Sequence, residues 1–123
     1  MEDRLSETIK KIIAFRDARN WKQFHNPKDL AISISLEAAE LLEVFQWTGS
    51  DTEVDTEKKE AKVREELADI LIYCSMMAHD LGLDIPEIIN DKLELNDRKY
   101  PVKEAYGRSD KYTVLKEKWR DNL

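Results

Sequence analysis

The chain is poor in the residues that interrupt regular structure, with three glycines and three prolines among 123 residues. Long helices joined by short connections are the expected organisation. Cysteine is nearly absent. Cys74 alone cannot close an internal disulfide, which points to a reducing, cytoplasmic setting. No apolar run approaches the roughly 20 residues that span a bilayer, and MEDRLSETIKK lacks the apolar centre of a signal peptide. Neither a membrane partner nor a leader is therefore expected. Positive charge is also scarce, with 20 Lys and Arg against 26 Asp and Glu for a net charge of −6. That balance excludes a broad basic face for nucleic acid. It would also repel a free polyphosphate unless cations changed the local sign.

What is present is helical periodicity. Leu5, Ile9, Ile12, Ile13 and Arg16 fall on one stripe of a helix over 3–19. Pro27 opens a second helix to about Trp47, closed by Gly49. The polar stretch GSDTEVDT over 49–56 reads as a loop, with Asp55 or Thr56 as N-cap of a third helix over about 57–81 that stops at Gly82. Asp84 and Pro86 start a fourth, which ends near Tyr100 because Pro101 cannot continue it. A charged tail follows, with a short final helix near 113–121. AISISL alternates like a strand but runs unbroken into EAAELLEVF, so the whole stretch is assigned to helix. The expectation is one all-α domain over 1–123, with a core over about 5–101 and a tail over 102–123. Chains of this length often complete a pocket with a second subunit.

Carboxylates then stand out. No lysine or arginine occurs between Asp29 and Glu57, and from Leu30 to Trp47 the only charges are Glu37, Glu40 and Glu43. Apolar residues surround them on most sides, so the helix reads as buried on more than one face. Glu37 and Glu40 are neighbours at i, i+3. The third helix repeats the arrangement: Asp69 is the one charge in LADILIYCSMMA over 67–78, Glu66 lies three residues before it on the same face, and no fixed local cation is evident. Either pair alone is commonplace on a solvated helix face. Two pairs in apolar surroundings point to a divalent cation, since uncompensated buried charge costs several kcal/mol. Mg²⁺ prefers such oxygens together with substrate phosphates, and Mn²⁺ would substitute.

At these residues the sequence resembles a known family. Glu37-Ala-Ala-Glu40 followed by Glu66-Leu-Ala-Asp69 is similar to the ExxE…ExxD signature of the all-α nucleotide pyrophosphohydrolases, the MazG-like superfamily. The flanks resemble its dCTP pyrophosphatase branch: Trp21-Lys-Gln-Phe-His25-Asn-Pro-Lys-Asp-Leu30, Phe45-Gln-Trp47, Glu65 through Tyr73, and Lys92-Leu-Glu-Leu-Asn96-Asp-Arg-Lys-Tyr100-Pro101. The likeness covers about residues 5–115.

The resemblance implies a four-helix bundle completed by dimerisation, often as a dimer of dimers. It implies Mg²⁺-dependent hydrolysis of a (deoxy)nucleoside triphosphate to the monophosphate and pyrophosphate, a nucleotide-pool housecleaning reaction favouring dCTP or a related pyrimidine. By matching position, Glu37, Glu40, Glu66 and Asp69 hold the metal and do the catalysis, one glutamate serving the attacking water. Lys92, Asn96, Arg98 or Lys99, and Tyr100 face phosphates and sugar. Trp21, His25, Trp47 and Tyr73 enclose the base and deoxyribose. Indole faces stack on any nucleobase for about 1–3 kcal/mol, yet the same tryptophans serve equally as core or interface aromatics. Cys74, Met76 and Met77 read as core, and His79 as a favourable charge at a helix end. Two rivals stand beside this reading. One is another activity of the fold, on dUTP or phosphoribosyl-ATP. The other is a non-catalytic interaction module whose acidic pairs take a regulatory cation or a basic peptide.

Overall fold

A computed structural model describes residues 3–108 together with Glu117 and Arg120. Helices α1 (Arg4–Ala18), α2 (Pro27–Glu43), α3 (Glu57–Asp80), α4 (Ile85–Lys99) and α5 (Val102–Ala105) follow one another, with a 3₁₀ turn at Trp21–Phe24, and no strand occurs among the described residues. The four long helices expected are present, and AISISL is helical. The helix expected near 113–121 lies outside the described residues apart from Glu117 and Arg120, both helical.

Each long helix starts on a side-chain cap that satisfies an otherwise orphaned N–H. Asp3 accepts from the Ser6 N–H at 2.7 Å, Asn26 from Asp29 at 2.9 Å, Thr56 from Lys59 at 3.1 Å and Asp84 from Glu87 at 3.1 Å. Thr56, rather than Asp55, is thus the cap of α3. Proline sits in the first turn of both α2 and α4, where its missing N–H costs nothing. After α3 the chain reverses at Gly82, whose φ of +66° a side chain would disfavour. Two features escaped the periodicity. Asn20 takes a left-handed φ of 52° and turns the chain into the 3₁₀ segment, and α5 follows Pro101 directly. The second helix also ends earlier than expected, at Glu43, and Val44–Trp47 continue as turns.

Contacts cluster into two compact units, 1–82 and 83–123. In the first, α2 packs along α3, and α1 packs on α3. Leu30, Met76 and Ala78 are buried there, with Ser75 and Arg16. Arg16 is 1% exposed, and its Nη1 donates to Asp80 at 2.7 Å, pinning α1 to the end of α3. The apolar character of α2 overstates its burial in the chain by itself. Ile32, Leu36 and Leu42 are exposed on α2, where one chief neighbour covers one face only, and Leu67 and Leu71 are exposed on α3. The second unit carries α4 and α5, with Ile88, Ile89 and Leu93 exposed along α4.

Candidate metal centre

Packing of α2 along α3 brings the two acidic pairs toward each other. One carboxylate oxygen from each of Glu37, Glu40 and Glu66 lies within 4.8 Å of the others. Glu66 is 2% exposed, Glu37 is half-buried and Glu40 is open to solvent. Helical spacing explains the pairing on α2, where i and i+3 stand one turn apart on one face. Only the meeting of two helices adds the third carboxylate.

Three carboxylates this close cannot all ionise freely. Burial, foremost, pushes Glu37 up, and the charges of Asp69 and Glu66 push it further. Glu40 is pushed up to about 7, first by close contact with the Glu66 carboxylate and then with that of Glu37. Glu66 is instead held below its ordinary value, chiefly by the Lys62 ammonium. Two buried oxygens, Oε2 of Glu37 and Oε2 of Glu66, have no hydrogen-bond partner. Such groups are expensive to leave unpaired, and each such vacancy asks for an explanation. An all-oxygen donor set with unsatisfied lone pairs suits a hard divalent cation, so the residues present fit the metal that the acidic pattern implied.

One expectation is corrected. A fixed cation does stand at the cluster, since Lys62 Nζ lies 2.8 Å from Glu66 Oε1. The two residues are at i, i+4 on α3, a spacing that places side chains on one face. Lys62 neutralises only one oxygen of Glu66, and the orphaned one remains.

The other sequence-predicted residues distribute unevenly. Asp69 is half-buried on α3 and is not part of the close trio, though its charge reaches Glu37 and Tyr73. Tyr73, one turn further on, is half-buried, and its hydroxyl is pushed up by burial first and by the neighbouring carboxylates second. His25 closes the 3₁₀ turn with its Nδ1 buried and without a partner. Trp21 is exposed and meets Phe15 edge-on at 5.8 Å, while Trp47 is 88% exposed beyond the end of α2. Lys92, Asn96 and Arg98 lie on α4 and Tyr100 is its C-cap, all in the second unit, where the Lys99 ammonium is 5.6 Å from the Tyr100 ring centroid.

Sequence reasoning missed two further arrangements. Arg19 stacks its guanidinium 3.8 Å from the Phe15 ring centroid and 5.8 Å from that of Trp21, fixing this aromatic corner. Lys59 reaches back to Asp51 at 2.7 Å, to Asp55 at 3.5 Å and to the Glu53 carbonyl at 3.1 Å, holding the 49–56 loop. The i, i+4 signal from Asp55 to Lys59 was available in the sequence. The aromatic corner depends on the left-handed turn at Asn20 and was not.

The chain is 39% identical to mouse dCTP pyrophosphatase 1 over 114 residues, covering 89% of this chain and 66% of that protein. The human protein of the same name is 37% identical over 114 residues, again covering 89% and 66%. The chain thus spans just under two thirds of the length of these curated relatives. A crystal structure of a pyrophosphatase from Archaeoglobus fulgidus superposes with a TM-score of 0.73 at 39% identity, covering 82% of this chain and 95% of that one. The MazG-like family pattern matches residues 32–115, a span that includes both acidic pairs and α4. With its paired acidic motifs meeting across α2 and α3, this chain belongs to the MazG-like family.

Proposed function

We propose that this protein is a Mg²⁺-dependent nucleoside triphosphate pyrophosphohydrolase, acting on dCTP or a related pyrimidine deoxynucleotide and releasing the monophosphate and pyrophosphate. The observation that carries the reading is the convergence of Glu37, Glu40 and Glu66 with two buried oxygens left unpaired. The names of the mouse and human relatives support the substrate class, and the acidic cluster supports the metal.

Bound at this cluster, the cation supplies charge neutralisation on phosphoryl oxygens and lowers the pKa of water. The remaining work falls to the chain. Glu37, Glu40 and Glu66 hold the ion, with Asp69 as the fourth carboxylate. One of the glutamates takes the proton of the attacking water, aligned opposite the leaving pyrophosphate. Trp21, His25, Trp47 and Tyr73 enclose the base and sugar, and Lys92, Asn96, Arg98 and Tyr100 meet the phosphates. The exposed apolar residues Ile32, Leu36, Leu42, Leu67 and Leu71 support self-association to a dimer or a dimer of dimers, which would cover them. On this reading the chain works as a single domain in the cytoplasm, drawing on the free nucleotide pool. Among the described residues no helix is long and apolar enough to cross a membrane.

A panel of dNTPs and NTPs, including dUTP, together with phosphoribosyl-ATP, incubated with Mg²⁺ and assayed for pyrophosphate, tests the proposal. The expected result is turnover greatest with dCTP or a close pyrimidine, abolished in Glu40→Gln and Asp69→Asn while the helical circular dichroism persists. No pyrophosphate from any nucleotide would leave a non-catalytic module as the better account. Release of orthophosphate instead would place the cleavage at the wrong bond.

A further inference from the structure

Lys62 is an odd residue to find at a metal centre. Its ammonium pairs with the one trio carboxylate that is almost fully buried, yet its own side chain is 52% exposed. The same lysine lines a groove of about 460 Å³ bounded by Glu43, Val44, Lys58, Ala61, Lys62 and Glu65. Lys58 precedes it by one turn, so two ammonium groups share this face of α3. Lys62 therefore bridges two environments, the carboxylate cluster on one side and an open groove on the other.

Resting on the function proposed above, we infer that Lys62 is a displaceable counter-ion that occupies Glu66 until the divalent cation arrives and then turns to the polyphosphate of the nucleotide. A cation held by Glu66 through its orphaned Oε2 neutralises the carboxylate that Lys62 pairs with and repels the ammonium by Coulomb force. The flexible four-carbon stem lets the charge move without unfolding the helix. A polyphosphate that shares the metal is the nearest dense negative charge, and the groove gives Lys62 a solvated path to it. The acidic neighbours Glu43 and Glu65 offer only single exposed carboxylates in competition. Lys62 is thus a positioning residue in the metal-free state and a phosphate-binding residue in the loaded one.

A plain i, i+4 helix pair would behave differently. Its removal would shift stability slightly and leave ligand affinities alone. Titration calorimetry of the full chain with MgCl₂ alone, then of the Mg²⁺-loaded protein with inorganic pyrophosphate, separates the two. Lys62→Met is expected to bind Mg²⁺ about two- to fivefold more tightly, because the competing cation is gone. The same variant is expected to bind pyrophosphate about tenfold more weakly. Lys62→Arg, which keeps the charge, is expected to return both affinities toward wild type, and circular dichroism checks that all three proteins are folded. Wild-type binding of Mg²⁺ with an unchanged or weaker affinity in Lys62→Met overturns this inference alone, as does unchanged pyrophosphate affinity or an arginine variant that behaves like methionine. A wild type that binds no divalent cation overturns the metal centre itself, and this inference with it.

Discussion

Metal binding at this cluster has to compete with a proton, and the competition can be worked out from Glu40. Its carboxyl, ordinarily at 4.5, is pushed up to about 7 by Glu66 and Glu37. At pH 6 such a group is about one-tenth ionised and at pH 8 about nine-tenths, so a cation that needs it ionised binds about tenfold more weakly at the lower pH. A glutamate left at 4.5 would be almost fully ionised at both and would give no change. Calorimetry with MgCl₂ at pH 6, 7 and 8, in buffers of different ionisation enthalpy, reads the affinity and the protons released together. About one proton per ion is expected at pH 6 and close to none at pH 8, and Glu40→Gln should flatten the profile. Stability follows the same linkage with a definite sign. A carboxyl whose folded pKa is raised binds more protons in the native state, so the metal-free protein loses stability as pH rises from about 4.5 through about 7. Added Mg²⁺ should cancel that loss by neutralising the cluster. Equal Mg²⁺ affinity at pH 6 and pH 8, with no proton released, would refute the reasoning and remove Glu40 from the centre.

Three further outcomes are expected. Arg16→Met should destabilise the protein by about 3 kcal/mol in urea denaturation, because it strands Asp80 without its partner at a largely buried contact; a loss below about 1 kcal/mol would mean that the pair does not hold α1 to α3. Trp47→Ala should leave thermal stability nearly unchanged, since the indole is 88% exposed, while raising the KM for the nucleotide about tenfold if the ring stacks on the base; a lowered Tm with unaltered KM would assign the indole to an interface instead. Thr56→Ala should cost about 1 kcal/mol through loss of the α3 cap, with Thr56→Ser restoring it.

Much of the fold was readable because each helix carries its own punctuation. Asn26-Pro27, Thr56 and Asp84-Ile-Pro86 are local signals, and the chain obeys them to within a residue or two. The failures are equally specific. Val44–Trp47 looked helical by composition yet continue as turns, and the left-handed Asn20 had no periodic signature. The acidic pairs were visible from spacing and apolar context, but their unequal environments were not. Glu66 is buried, Glu40 is open and Asp69 is outside the close trio, differences set by which side of each helix meets its neighbour. Lys62 lies within reach of Glu60, Glu65 and Glu66 along the sequence, and only the packed structure shows that Glu66 is the carboxylate it meets.

Sequence by itself determined the helices, their caps and the placing of two carboxylates on one face of α2 and two on one face of α3, since these depend on interactions within a few residues. Tertiary structure decided which carboxylates meet, which oxygens lose water and find no partner, and which face of α2 stays bare. Those outcomes depend on how two helices pack across a distance that no local pattern encodes, and the electrostatics of the site, from the raised Glu40 to the lysine-bound Glu66, follow from that packing.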